Sequence, residues 1–287
     1  MSNIRIGNEH LSVEVSALGA EMQSLTTRDG RDWLWNGDAA FWTGRSPILF
    51  PIVGKAPDDH VSIGGVRYPM PQHGFARRSE FALTESGSDF CRFELTASQA
   101  TRSIYPFDFV LSLEHRVVGS AIAVTAEVTN RDTRPMPFGI GFHPAFLWPL
   151  PGCEGQDHTI WLDSGGAPAL ARLEGGLVDP QPRPSPFVDG VLALDRSRFT
   201  GDTMIFLEGA GSGLRYGAEG AQVHLTWENL PNLAFWTKQA DAPFICLEPW
   251  HGTAAAVGRG DGIEARPSTV VLGAGETGRY RFVAEVG

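Results

Sequence analysis

Phe107-Asp108-Phe109-Val110-Leu111-Ser112-Leu113-Glu114-His115-Arg116-Val117-Val118-Gly119-Ser120-Ala121-Ile122-Ala123-Val124-Thr125-Ala126-Glu127-Val128 is the stretch that decides the fold class. Phe107, Phe109, Leu111, Leu113, His115 and Val117 fall on every second position, and Ile122 to Val128 repeats the character after Gly119-Ser120. Period-two alternation puts one side of a chain into a core and the other into water, so two strands joined by a tight turn are predicted. His115 stands on the apolar side of the first strand.

The same signature recurs outward in both directions. Leu11, Val13 and Val15 alternate with Ser12 and Glu14, and strands are also predicted over 91–95, 159–162, 204–207, 223–227, 245–247, 270–272 and 280–283. Helical periodicity is scarce, and residues 98–104 suffice for one short turn. The 34 glycines and 20 prolines are spread throughout, as many turns require. A large antiparallel β-sandwich follows, all-β in class, as one domain over residues 1–287. The segment 179–186, with four prolines, reads as a long surface loop within that domain rather than a linker.

Thirty-three acidic against 23 basic side chains give a formal charge of −10, which disfavours nucleic acid and anionic membrane surfaces as partners. No apolar run approaches the roughly 20 residues that span a bilayer. Met1-Ser2-Asn3-Ile4-Arg5 opens into polar, strand-like sequence without a secretory pattern. Cys91, Cys153 and Cys246 are odd in number and widely spaced, as reduced thiols are. A cytoplasmic monomer or homodimer is the expectation. Gly-X-Ser-X-Gly, Cys-X-X-Cys, the P-loop and the calcium loop are all absent.

Four segments carry chemistry. They are Gly44-Arg45-Ser46-Pro47-Ile48-Leu49-Phe50-Pro51-Ile52-Val53-Gly54, Pro71-Gln72-His73-Gly74-Phe75-Ala76-Arg77, Pro137-Phe138-Gly139-Ile140-Gly141-Phe142-His143-Pro144-Ala145-Phe146, and Cys246-Leu247-Glu248-Pro249-Trp250-His251-Gly252. Each sets a charged group or an imidazole among Gly, Pro and aromatic residues, which suits a rigid, irregular backbone facing an apolar-walled pocket. Taken singly, a histidine beside glycine and proline is more often a turn residue than a catalyst, and Glu248 could equally cap a turn.

In order along the chain, these segments resemble the signature stretches of the aldose 1-epimerase (galactose mutarotase-like) family, and most closely its LacX-like and hexose-6-phosphate mutarotase-like branch. The Gln-His-Gly-Phe-Ala-Arg and Pro-Phe-Gly-Ile-Gly-Phe-His-Pro-Ala-Phe strings are the most specific, and the resemblance covers nearly the whole chain. It implies an antiparallel supersandwich that interconverts the α and β anomers of an aldose or aldose phosphate, with no cofactor and no metal. It implies Glu248 as general base, His143 as general acid, His73 as a second pocket histidine, and Arg45 and Asp202 as sugar contacts. Thr253-Ala254-Ala255-Ala256 departs from the family's usual loop. Arg77, with Arg78 and Lys55 near it in sequence, is the candidate for holding a phosphate. Trp236, Trp250 and Phe142 are candidates to stack on a sugar ring.

Two other readings remain on sequence alone. A non-catalytic sugar-binding protein needs no acid–base pair, and a metal-dependent enzyme using His73, His143 and His251 lacks ligand spacing.

Overall fold

The computed structural model describes residues 3–199, 203–238 and 241–287. Strands dominate it, and the two stretches read first form its spine. Phe109–Val118 and Ala121–Asn130 are two ten-residue strands paired in register from Ala121↔Val118 to Asn130↔Phe109. They sit inside a nine-stranded antiparallel sheet, with Phe90–Thr96 and Ala82–Ser86 beyond the first. Thr277–Val286 lies beyond the second, followed by Ala221–Glu228, Gly213–Ala218, Thr159–Leu162 and Val191–Ala193.

A second antiparallel sheet runs in the order Met204–Phe206, Asn232–Trp236, Phe244–His251, Ile140–Phe142, Ile48–Leu49, and Ala145–Leu147 also pairs with Phe244–His251. Alternation along Phe244–His251 decides which face does what. Ile245 and Leu247 enter the main core, shared with Phe109, Leu111 and Phe282 of the larger sheet. Phe142 meets Phe282 with ring centroids 4.9 Å apart, so it belongs to that core and not to a sugar-binding wall. The even-numbered residues Phe244, Cys246 and Trp250 pack in two smaller clusters on the other face.

The fourth motif is therefore a regular strand, where an irregular backbone was expected. Its proline is tolerated for a local reason. Leu247 N–H donates to the Pro144 carbonyl (3.1 Å), and Pro249, two residues on, turns its nitrogen to the same side. There the neighbouring chain has left the ladder between Ile140–Phe142 and Ala145–Leu147, so no acceptor is stranded. The short turn expected over 98–104 is a helix, Gln99–Arg102, closed by a reciprocal Ser98–Thr101 capping box. Among the described residues no helix is long and apolar enough to cross a membrane.

His115 shows what the apolar side of the spine strand does to an imidazole. It is buried, its Nε2 lies 2.9 Å from the Ala20 carbonyl, and burial pushes its pKa down to about 4 from 6.5. Between those values the unfolded chain takes up a proton that the folded chain refuses. Stability is thus complete above pH 6.5 and falls as pH drops, by up to about 1.4 kcal/mol per unit from this group. His115→Gln is expected to flatten that part of the pH dependence in urea denaturation between pH 6.5 and 4. An unchanged slope would show that His115 does not set it.

Candidate active site

Glu248 points from the outer face of the second sheet, opposite Ala234, and is 1 % exposed. His143 occupies the link between Ile140–Phe142 and Ala145–Leu147 on the adjacent chain, 6 % exposed. The offset brings His143 Nε2 to 3.2 Å from Glu248 Oε2. Around His143 lie Trp42 at 4.9 Å between ring centroids, His73 at 5.6 Å and Trp236 at 5.7 Å. Burial, and after it the Arg77 cation, pushes the His143 pKa down to about 3. The imidazole is held neutral by its dry walls, while the adjacent carboxylate is the group that would stabilise a second proton on it.

His73 is held by backbone. Its N–H donates to the Gly54 carbonyl (2.9 Å) and Gly54 N–H donates back to its Nδ1 (3.1 Å). The ring proton is thereby fixed on Nε2, and the Gln72 side-chain amide, 3.3 Å away, accepts it only with its oxygen turned to the ring. Burial first, then His143, Arg77 and Arg266, keep its pKa well below 6.5. His73 is a neutral N–H donor. The turn that presents it needs Gly74, whose φ is +71° and whose Cβ would stand 2.1 Å from the Phe50 oxygen. That crossing of two motifs explains why Gly follows His in the second.

These three residues share a cavity of about 440 Å³ with Trp42, Trp236, Trp250, Thr203 and Ile205. Lys55, Arg77 and Lys238 also line it. Arg77 donates to the Gln72 carbonyl (3.0 Å), and its Nε is buried without a partner. Arg78 lies in an adjoining groove instead, as does Arg45. Arg45 donates through Nε to the Asn36 carbonyl (2.8 Å) and through Nη1 to Gln23 Oε1 (2.5 Å), closing the loop that carries Trp42. Its motif is in place while its guanidinium is engaged by Asn36 and Gln23, and Arg45 is not among the residues that line the cavity of Glu248. Asp202 lies outside the described residues; its neighbour Thr203 is on the cavity wall. His251 turns its Nδ1 to the Asn229 carbonyl (2.9 Å) and packs on Tyr280, so it does not join His73 and His143.

The unusual Thr253-Ala254-Ala255-Ala256 loop passes close to the first motif. Ala254 lines the cavity against Gly54, where a Cβ would fall 2.6 Å from that of Ala254. Two backbones meet there with no room for a side chain on Gly54. Arg266, 7 % exposed, clamps them together. It donates to the carbonyls of Val53 (2.7 Å), Thr253 (2.9 Å) and Lys55 (3.3 Å). Nothing in the sequence around Arg266-Pro267 marks it. Trp42, Lys238 and Thr203 were likewise unmarked, and only the pairing of distant strands brings them in.

An aldose 1-epimerase family model matches residues 2–264. The chain belongs to the aldose 1-epimerase family. Within that family it is similar to the plasmid-encoded protein LacX of Lactococcus lactis subsp. lactis, with 32 % identity over 277 residues, 92 % of each chain. A galactose mutarotase-like protein from Lactobacillus casei superposes with a TM-score of 0.93 at 26 % identity, each chain covered completely. A galactose mutarotase related enzyme from Lactobacillus acidophilus superposes with a TM-score of 0.91 at 24 % identity, over 100 % of this chain and 97 % of that one. An aldose 1-epimerase family member with this fold is a sugar epimerase in class, and the supersandwich expected from the resemblance is the fold observed.

Proposed function

We propose that the protein interconverts the α and β anomers of an aldose without a cofactor, with Glu248 as base and His143 as acid. The observation that carries the reading is the contact of those two groups, Nε2 to Oε2 at 3.2 Å, in a cavity large enough for a pyranose. A hemiacetal opens when the C1 hydroxyl loses its proton and the ring oxygen gains one. Glu248 takes the first, and His143, neutral at rest, gives the other as it gains a proton from Glu248 across the 3.2 Å contact. Closure on the opposite face of the carbonyl reverses both transfers and returns each group to its starting state. His73 donates Nε2–H to a sugar oxygen and holds the pose, and Trp42, Trp236 and Trp250 offer apolar ring faces. Arg45 serves by holding the Trp42 loop. In this reading residues 1–287 are one domain with one such site.

Saturation-transfer NMR on a panel of aldoses and their 6-phosphates, with no metal or cofactor added, tests the proposal. Accelerated exchange of at least one sugar is expected. Binding without acceleration across the panel would replace it with a non-catalytic sugar-binding role.

The cations favour a phosphorylated sugar. Lys55, Arg77 and Lys238 face a cavity whose only carboxylate among the described residues is Glu248, in a chain of net charge −10. Among the described residues, neither lysine has a carboxylate within ion-pair distance. Arg77→Ala is expected to raise the KM for a 6-phosphate roughly tenfold or more, a charge-assisted hydrogen bond contributing about 1.5–3 kcal/mol. KM for the free sugar is expected to stay within about twofold. Equal effects on both substrates would show that Arg77 serves the structure instead.

A further inference from the structure

Cys246 has no part in the proton transfers, yet it stands on the same strand face as Glu248, two residues before it. His143 Nε2 or Nδ1, Cys246 Sγ and a Glu248 oxygen all lie within 4.8 Å of one another, and all three residues are buried. We propose that His143, Cys246 and Glu248 form a binding site for a thiophilic divalent cation such as zinc, and that the bound ion switches off anomer exchange by engaging the acid and the base together. The inhibitory half rests on the function proposed above; the binding half rests on the geometry of the three side chains.

The spacing is close to that of a coordination shell, with the thiol edges, at most 4.8 Å, to be drawn in by the ion. With bonds of about 2.0–2.2 Å to nitrogen and oxygen and about 2.3 Å to sulfur, tetrahedral ligand atoms stand roughly 3.2–3.7 Å apart. The His143–Glu248 edge is already 3.2 Å. The ligands are borne by strands in register, since Ala145, two residues after His143, pairs with Cys246, and Glu248 pairs with Ala234. The thiol packs among Trp35, Ala145, Ala242 and Phe244, an apolar cluster. His143 and Glu248 also line the cavity, which supplies a water or a sugar hydroxyl as the fourth ligand.

Ligand chemistry selects the ion. A thiolate and an imidazole favour zinc, cobalt or cadmium over magnesium and calcium, which prefer oxygen ligands. On binding, the thiol proton leaves to solvent and one sulfur–metal bond forms, with no change in oxidation state. Lys55, Arg77 and Lys238 oppose a cation in this cavity, and the thiolate and carboxylate charges compensate directly at the ion.

The test uses metal-stripped full-length protein titrated with cobalt(II). One equivalent is expected to give the intense near-ultraviolet thiolate-to-cobalt band, which zinc then bleaches. The band is expected to persist in Cys91→Ala and Cys153→Ala and to vanish in Cys246→Ala and Cys246→Ser. In parallel, one equivalent of zinc is expected to lower exchange at least tenfold, with recovery on adding a chelator. In Cys246→Ala the zinc needed to halve that variant's own rate is expected to rise at least tenfold, and magnesium is expected to have no effect on either protein. A missing band, a band retained without Cys246, or unchanged zinc sensitivity in Cys246→Ala would overturn the site. Lack of exchange on every sugar would refute the function above, and the cobalt band would still decide the metal site.

Discussion

Glu248→Gln is expected to slow anomer exchange by about 10²–10⁴ while leaving sugar affinity within about tenfold of the wild type. The amide keeps the size of the carboxylate and much of its hydrogen bonding, but it cannot accept the proton of the C1 hydroxyl. His143→Asn is expected to lose a comparable factor, because the ring oxygen then has no donor when the bond breaks. The double variant is expected to be little worse than the slower single one, since two groups that act in one step do not contribute independently. Exchange is read by saturation-transfer NMR and affinity by calorimetry on the same samples. Wild-type rates in Glu248→Gln, or fully multiplicative losses in the double variant, would remove the pair from its assigned role.

The largest stability effect is expected at Arg266. Its guanidinium satisfies the carbonyls of Val53, Lys55 and Thr253, and burial lowers its pKa only to about 10, so it is a cation at neutral pH. Arg266→Met fills some of the volume and leaves three carbonyls without their donor. Each unsatisfied buried acceptor costs about 1–3 kcal/mol, part of which relaxation recovers, so a loss of about 3–5 kcal/mol is expected. For a chain of this size that is a fall in Tm of about 5–8 °C. Exchange is expected to weaken as well, since Gly54 holds His73 and Ala254 lines the cavity. Arg266→Lys, which keeps the charge with fewer directed donors, is expected to fall between. A melting temperature within about 2 °C of wild type in Arg266→Met would show that the clamp contributes little.

Much of this architecture was legible because strands advertise themselves locally. Leu11–Val15, Thr159–Leu162 and Val270–Leu272 have the bounds that alternation predicted. Phe244–His251 ran longer than its apolar centre suggested, because Glu248 and Trp250 face a cavity and Pro249 meets a gap in the neighbouring ladder. Those are tertiary facts with no trace in a short window. The same limit applies to the site. His73, His143 and Glu248 stand in recognisable strings and meet in space. Arg45 keeps its string but spends its guanidinium on Asn36 and Gln23. Arg266 has no string at all, and its role exists only once two loops from opposite ends of the chain touch.

Thr277–Val286 is the last of the nine strands in sequence, yet it stands in their interior, between Ala121–Asn130 and Ala221–Glu228. During synthesis the strands on either side of it emerge long before it does, and each presents an open edge to whatever chain is near. The two groups become one sheet only when this segment leaves the ribosome and threads between them. Closure is therefore a late, long-range event, and until it occurs those edges stay open to pairing with other chains.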